Sequence, residues 1–136
     1  MKSIIQRQRN RMIQEIYQKD PWKMMICCIF LNQTSRDQVD KIRLEFFKKY
    51  PNPKSAIAAN SEEMANLISV LGFKNRRTQT IQKFSKDWVE KSWEDPIDLY
   101  GIGKYGQDSW EIFQLQNFKV EPTDGALRSY LNRINK

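Results

Sequence analysis

The chain has 136 residues, two cysteines, no histidine and a formal net charge of +7. The length fits one domain over residues 1–136, while the lack of histidine excludes Ser-His and Cys-His nucleophiles and most zinc sites, and Cys27 and Cys28 are too few for a four-cysteine metal or iron-sulfur site. The excess positive charge is spread along the chain, which suits a polyanionic partner.

Helical periodicity runs through the whole chain, and no stretch predicts a strand convincingly. A first helix is predicted over residues 4–19. A second, almost wholly apolar helix runs from Asp20-Pro21 to Leu31 and should be central and buried. Thr34 or Ser35 can cap a third helix, which Tyr50-Pro51-Asn52-Pro53 ends.

Ser61 can cap a fourth helix that Gly72 closes, and a fifth covers residues 75–92. Asp95-Pro96 is typical of a short helix start, and the last helix begins at Thr123. The predicted inward faces carry apolar residues at helical spacing: Met12, Ile13, Ile16, Tyr17, Val39, Ile42, Phe46, Phe47, Met64, Leu67, Ile68, Leu71, Ile81, Phe84, Trp88, Val89, Leu127, Tyr130 and Ile134. These elements predict an all-α domain of seven to nine helices with a helix-on-helix core.

A glycine-rich stretch, Leu99 to Gly106, marks a backbone that turns sharply and approaches another surface closely. It also satisfies the dinucleotide-binding pattern G-x-G-x-x-G, with Glu121 or Asp124 as the expected acidic residue. That interpretation needs a preceding strand, and the residues around Pro96 do not alternate as a strand would. The local pattern is therefore a short helix, a glycine-rich hairpin and a longer helix.

This hairpin resembles the motif of the helix-hairpin-helix DNA glycosylase superfamily, which has an endonuclease III-like fold and an essential Asp after the hairpin. Here Asp124 stands 19 residues after Tyr105. Within the superfamily the chain is most similar to the glycosylase domain of methyl-CpG-binding thymine/uracil mismatch glycosylases. The segments that carry this similarity are Asp20-Pro21-Trp22-Lys23, Ile29-Phe30-Leu31-Asn32, Lys49-Tyr50-Pro51, Thr80-Ile81-Gln82-Lys83-Phe84-Ser85, Pro96-Ile97 and Gly101 to Gly106 with Asp108 and Ser109.

The resemblance implies a two-lobed all-α fold without an iron-sulfur cluster, a helix-hairpin-helix at about residues 95–117, and DNA in the cleft between the lobes. It makes Asp124 the catalytic residue, because a carboxylate beside C1′ stabilises the positive charge that forms when the glycosidic bond breaks. Asp124 can also orient or deprotonate the attacking water. From the residues alone, an acid at a helix start also serves the positive end of the helix dipole.

Tyr105 occupies the position at which strand-nicking members carry an attacking Lys. We therefore expect no lyase activity, with Tyr105 forming a wall of the base pocket and offering its hydroxyl to the base. Gln14 falls where the similar glycosylases place an amide that reads pyrimidine edges.

The remaining candidate residues would contact DNA. Phosphate contacts are expected from Gly101, Gly103, Lys104, Gly106, Arg36 and Arg76, with Lys74, Arg77 and Arg128 as further candidates. Hairpin carbonyls of this family often hold Na⁺ or K⁺. Gln33 would fill the gap left by the flipped nucleotide, where the similar glycosylases carry Arg, and Leu71 and Phe73 would form apolar wedges.

The sequence thus predicts a monofunctional glycosylase of base excision repair that flips out and removes T or U mispaired with G. We expect a monomer that acts on double-stranded DNA with a mismatched or damaged base, without a cofactor or a side-chain metal site. Residues 1–11 do not resemble a signal peptide and no stretch could span a membrane, so no membrane partner is expected. The expected location is nuclear in a eukaryote and cytoplasmic otherwise. Two alternatives stay open, a non-catalytic helix-hairpin-helix DNA-binding module and, less favoured, a dinucleotide-binding protein.

Overall fold

The computed structural model describes residues 1–135, and all regular structure within them is helical. In chain order the α-helices are α1 (Ile4–Gln8), α2 (Ile13–Ile16), α3 (Pro21–Phe30), α4 (Arg36–Asp40), α5 (Arg43–Lys49), α6 (Pro53–Ala58), α7 (Ser61–Leu67), α8 (Lys74–Glu90), α9 (Lys104–Phe113) and α10 (Gly125–Ile134). Short 3-10 helices, Ser69–Leu71 and Pro96–Asp98, lie before α8 and α9. The all-α prediction is confirmed.

The predicted first helix is in fact two helices, α1 and α2, separated by a turn. Arg36 lies against this turn and donates hydrogen bonds to the carbonyls of Gln8 (3.2 Å) and Arg11 (2.7 Å). A continuous helix would use such carbonyls for its own backbone bonds. A side chain 25 residues away from Arg11 therefore favours the break, and local periodicity does not reveal it.

The predicted third helix is also divided, because i→i+3 backbone bonds within residues 38–42 tighten the chain between α4 and α5. A further helix, α6, follows where the sequence predicted only a helix end. Asn52 caps it by accepting from the Ser55 amide at 2.9 Å, and Pro53 occupies its first position. The same Asn-Pro pair thus starts a helix, since Pro at that position loses no backbone bond.

The observed N-terminal caps of three helices refine or correct the predicted capping residues. Ser35 caps α4 by accepting from the backbone amide three residues on. Asn60 caps α7, so Ser61 is the first helical residue and not the cap. Asp124 caps α10, one residue later than the predicted start at Thr123.

Helix α3 is the centre of the molecule, as predicted, with eight of its 10 residues buried. It packs against α8 on one side and against α2 and α9 on the other. Two groups of helices therefore share α3: α4 to α8 form one, and α2, α9 and α10 bring the two chain ends together in the other. Val89 and Ile134 were predicted to face inward but are 45% and 41% exposed, since each lies in the last turn of its helix.

A buried ion pair fixes the N-terminal segment to the first group. Arg43 is 0% exposed and donates to Asp40 Oδ1 (2.8 Å), the Tyr17 hydroxyl (2.9 Å) and Gln8 Oε1 (2.7 Å). Asp40 also accepts from Arg36 Nε at 2.9 Å. The charges are thus paired and hydrogen-bonded, as buried charges must be.

Candidate active site

A cleft of about 800 Å³ lies between the two groups of helices, where α2, α8, α9 and α10 begin and α3 ends. The predicted site residues that line it are Gln14, Gln33, Arg36, Phe73, Arg76, Gly101, Gly103, Lys104, Tyr105, Gly106 and Asp124. Leu71, predicted as an apolar wedge, does not line it. Its side chain is 3% exposed and packs in the core, so that prediction is corrected.

Asp124 stands at the start of α10, half-buried at the cleft wall. Its Oδ2 accepts a hydrogen bond from the Leu127 amide at 2.9 Å, so the carboxylate also caps the helix. Oδ1 has no hydrogen-bond partner within residues 1–135. One oxygen is therefore held by the protein, and the other can interact with a bound molecule.

Tyr105 and Gln14 form the polar wall of the cleft. Gln14 is 0% exposed, and its Nε2 donates to the Tyr105 hydroxyl at 2.7 Å and to Ser109 Oγ at 3.1 Å. Burial raises the pKa of Tyr105 well above its ordinary value, and the neighbouring Cys28 and Asp124 raise it further. Tyr105 is therefore a neutral phenol that keeps its own hydrogen for donation.

Two residues of this wall were missed by sequence reasoning. Ser109 lies one helical turn after Tyr105, and that spacing could have identified it. Cys28 lines the cleft from the end of α3, inside an apolar run that gave no signal. Burial raises the pKa of the Cys28 thiol to about 12, so the thiol is protonated.

Each glycine of the hairpin meets a different local constraint. Gly101 has φ 82°, and a Cβ there would lie 2.5 Å from Thr80 Cγ2. A Cβ on Gly106 would lie 2.8 Å from Ile102 Cγ2 and 3.2 Å from Met25 Cε, so this glycine leaves room for the Ile102 side chain of the hairpin and for α3 beside α9. Gly103 precedes α9, whose first turn lacks a side-chain cap. The uncapped amides and the positive helix end favour an anion at this point.

Gln33 and Phe73 both adopt left-handed backbone conformations, with φ 60° and 48°. Such conformations cost about 1–3 kcal/mol in residues other than glycine and cluster at functional sites. Phe73 is 68% exposed. Arg77 stabilises the turn before Phe73 by donating to the carbonyls of Leu71 and Gly72, and it also donates to the Ile29 carbonyl. Its side chain is buried and lines the cleft, and the phosphate contact stays a prediction.

The positively charged side chains at the cleft differ in how many ion pairs and hydrogen bonds they already form within the protein. Arg36 is paired with Asp40 and two carbonyls. Lys104 Nζ lies 3.0 Å from Asp108 Oδ2 and 3.1 Å from the Glu121 carbonyl. Arg76 is exposed and has no ion pair or hydrogen bond with the described part of the chain.

Within residues 1–135, no three His, Cys, Asp or Glu side chains are grouped to hold a metal, and no helix is long and apolar enough to cross a membrane. Two hairpin carbonyls already have protein donors: that of Asp98 accepts from Lys91 Nζ at 2.6 Å, and that of Leu99 from the Ile102 amide at 3.3 Å. A Na⁺ or K⁺ ion would therefore have to use the other carbonyls of the loop, and it stays a prediction.

The known proteins that this chain matches are DNA repair proteins and DNA glycosylases. The family model described as HhH-GPD superfamily base excision DNA repair protein matches residues 26–136. A methyl-CpG-binding domain protein 4-like protein of Arabidopsis thaliana is 35% identical over 120 residues, which cover 88% of this chain and 27% of that protein. A thymine-DNA glycosylase of Aeropyrum pernix is 33% identical over 93 residues, 63% of this chain and 42% of that protein. The chain thus spans less than half the length of these relatives.

The fold is also that of a solved structure. A thermostable thymine-DNA glycosylase superposes with a TM-score of 0.67 and 24% identity, covering 71% of this chain and 48% of that chain. At this identity the likeness shows the shared fold.

Proposed function

The chain belongs to the HhH-GPD superfamily of base excision DNA repair proteins, and from that premise we propose that it is a monofunctional DNA glycosylase that removes thymine or uracil mispaired with guanine. The Aeropyrum pernix relative, named a thymine-DNA glycosylase, supports this substrate class. The product would be an abasic site in an intact strand. The substrate would be double-stranded DNA, bound by a monomer.

Asp124 is the catalytic residue in this proposal. Breaking the glycosidic bond leaves positive charge on the sugar, and a carboxylate beside C1′ stabilises the transition state more than the ground state. The Leu127 amide holds Oδ2 and so orients the carboxylate. The other oxygen is available to face the sugar and to take a proton from the attacking water.

We expect no lyase activity because the residue at the nucleophile position, Tyr105, carries no amine. A Schiff base requires a free amine at C1′, and Tyr105 carries a phenol. The neighbouring Lys104 is held by Asp108 and by the Glu121 carbonyl, so its amine is already engaged. Tyr105 instead donates its hydrogen to the flipped base.

The DNA would be held by the residues around the cleft. The uncapped first turn of α9 binds a phosphate through backbone amides without reading sequence. Arg76, which is exposed and forms no ion pair with the described residues, adds a positive charge beside the cleft. Phe73 and Gln33 enter the duplex and fill the space that the flipped nucleotide leaves.

One observation carries the proposal: Asp124, Tyr105 and Gln14 line the same cleft as the exposed, left-handed residues Gln33 and Phe73. The test uses labelled duplexes containing G:T, G:U, A:U or 8-oxoguanine:A, followed by alkali. Cleavage of G:T and G:U duplexes only after alkali supports the proposal. Cleavage without alkali contradicts the assigned role of Tyr105.

A non-catalytic DNA-binding module is the second candidate, because Asp124 has a structural role as a helix cap. It predicts binding to every duplex in the same series without base release. Loss of DNA affinity even at low salt would contradict both candidates.

A further inference from the structure

One face of α8 lies against the glycine-rich hairpin. The side chains that contact it follow one another at intervals of three, four and four residues, the spacing that places side chains on one face of an α-helix. We call this face the α8 stripe, and its residues are Thr80, Lys83, Asp87 and Lys91, the last of which directly follows the helix. The proposed function gives none of them a role.

Two residues of the stripe bind the hairpin backbone with charged groups. Asp87 Oδ2 accepts a hydrogen bond from the Tyr100 amide at 2.8 Å. Lys91 Nζ donates to the Asp98 carbonyl at 2.6 Å. Hydrogen bonds to a charged group are shorter and stronger than those between neutral groups. The backbone on either side of Leu99 is therefore held by two charges of opposite sign, each matched to the backbone group that it contacts.

The other two residues of the stripe pack against the same stretch. Lys83 Nζ lies 4.9 Å from the centroid of the Tyr100 ring, within the range of a cation-π interaction. Gly101 is so close to Thr80 that a Cβ at residue 101 would lie 2.5 Å from Thr80 Cγ2. The stripe thus contacts the chain from Asp98 to Gly101.

The amides proposed to bind a phosphate follow directly after this stretch, at Gly103 and in the uncapped first turn of α9. A loop that must be ordered when its ligand binds loses affinity, because the ordering costs conformational entropy. A glycine-rich loop has much backbone freedom to lose. Contacts that fix the entry into α9 beforehand therefore strengthen binding without touching the ligand.

We propose that Asp87 and Lys91 are positioning residues that clamp the hairpin backbone against α8 and so pre-organise the start of α9 to bind a DNA phosphate. The inference rests on the phosphate contact of the proposed function. Because Phe73 immediately precedes α8, the clamp also fixes the hairpin relative to the proposed wedge. Neither clamp residue lines the cleft in which the base would be removed.

The negative charge of Asp87 makes it the sharper test. A carboxylate at a DNA-binding loop repels phosphates, so by charge alone its removal should tighten DNA binding. The clamp predicts the opposite for Asp87→Ala, because that change leaves the Tyr100 amide without its acceptor and loosens the hairpin. Asp87→Asn removes the same charge but keeps a side-chain oxygen that can accept from the Tyr100 amide.

The experiment measures the Kd for a duplex that carries a tetrahydrofuran abasic analogue opposite G, and the single-turnover rate on a U:G duplex at saturating protein. We expect Asp87→Ala to raise Kd about threefold to tenfold, the range for one hydrogen bond. The loss should appear in Kd and not in the rate at saturation, since the clamp acts on binding. Asp87→Asn should bind at least as tightly as the wild type.

Glu90→Ala is the matched control for Asp87→Ala. Glu90 is an exposed acid in the last turn of α8, off the stripe, and pairs with Lys86 at 4.0 Å. Its removal should leave Kd unchanged or lower it. Lys86→Ala is likewise the control for Lys91→Ala, because each change removes one positive charge from the end of α8. Lys91→Ala should weaken binding about threefold more than Lys86→Ala does.

The outcomes separate the clamp from the activity. Unchanged or tighter binding by Asp87→Ala would overturn the clamp and leave the proposed function standing. Equal losses in Asp87→Ala and Asp87→Asn would also overturn it, because the retained acceptor would then have no effect. A wild type that shows the expected Asp87 pattern in binding but releases no base keeps the clamp and removes the glycosylase activity. A wild type that binds no DNA removes both.

Equal losses in Lys91→Ala and Lys86→Ala would overturn the role of Lys91, because its effect would then be that of any positive charge at this end of α8.

Discussion

Gln14 and Tyr105, 91 residues apart in the chain, are joined by a hydrogen bond of 2.7 Å across the wall of the cleft. The bond connects α2, near the N-terminus, with the first turn of α9. Burial holds the phenol of Tyr105 neutral, because it raises the pKa well above its ordinary value. The proposed base pocket therefore forms only when α2 and α9, two segments distant in the chain, are packed together.

Asp124→Asn should strongly lower the rate of base removal with little effect on folding. Asn is as good a helix cap as Asp, so the bond to the Leu127 amide can persist while the negative charge is lost. Removing one key electrostatic group lowers the rate by about 100-fold or more. Single-turnover kinetics on a U:G duplex measure this.

The exposed acid Asp37, in the first turn of α4, provides the control for that change. Asp37→Asn removes the same charge outside the cleft and should keep the wild-type rate. If Asp124→Asn cut uracil at the wild-type rate with an unchanged melting temperature, Asp124 would be a helix cap only.

Phe73→Ala should reduce base removal from duplex DNA about tenfold or more, because an inserted apolar side chain offsets part of the unstacking cost. Uracil in a single strand needs no unstacking and should be released at the wild-type rate. Phe118, 39% exposed and outside the cleft, is the matched control. Equal losses on single and double strands would contradict a wedge role for Phe73.

Gly101→Ala should destabilise the fold by about 1–3 kcal/mol, because the new Cβ meets both an unfavourable φ of 82° and the Thr80 side chain. Gly72→Ala separates the two effects, since Gly72 has φ 77° with open space around it. Gly125→Ala, in open space at the first position of α10, should be neutral or slightly stabilising. Denaturant unfolding should rank the three in that order, and equal effects at Gly101 and Gly125 would contradict this account.

Much of this fold could be predicted from the sequence where the determinants are local. Helical periodicity identified α3 and α8, and α9 was predicted as the longer helix after the glycine hairpin. The lack of alternation around Pro96 excluded a strand before Gly101. The break in the first predicted helix was missed because Arg36 acts on it from a distant segment, and the break in the third was missed because the i→i+3 bonds that tighten residues 38–42 leave no mark on the apolar periodicity.

The residues of the candidate site also divide into those that the sequence predicts and those that depend on contacts between distant segments. Asp124 and Tyr105 were predicted from the resemblance to the helix-hairpin-helix glycosylases, and the structure brings both to one cleft. Leu71 and Phe73 are two residues apart and both apolar, so the left-handed turn at Gly72 and Phe73, and not the residue types, decides that Leu71 packs in the core while Phe73 is exposed. Ser109 could have been found from its spacing of four residues to Tyr105 on α9, whereas Cys28 lies in an apolar run of α3 and reaches the cleft only through the packing of the helices.

Asp40→Asn should destabilise the protein by about 3–5 kcal/mol, since it leaves the fully buried Arg43 without its counter-charge. Glu63→Gln is the matched control, because Glu63 forms an exposed pair with Lys49 and should change stability by less than about 1 kcal/mol. Urea unfolding at neutral pH measures both. Similar small effects of the two substitutions would show that the buried network contributes little.

Alkaline pH should destabilise the folded chain through its buried thiols. Burial raises the pKa of Cys28 from 9.0 to about 12 and also raises that of Cys27. Above pH 9 the unfolded chain loses these protons while the folded chain keeps them, so stability is complete below pH 9 and declines as pH rises toward about 12. Melting temperatures across this range should fall, and Cys28→Ala, which removes one titrating group, should fall less steeply. Identical slopes for wild type and Cys28→Ala would show that the thiol ionises as readily in the fold as in the unfolded chain.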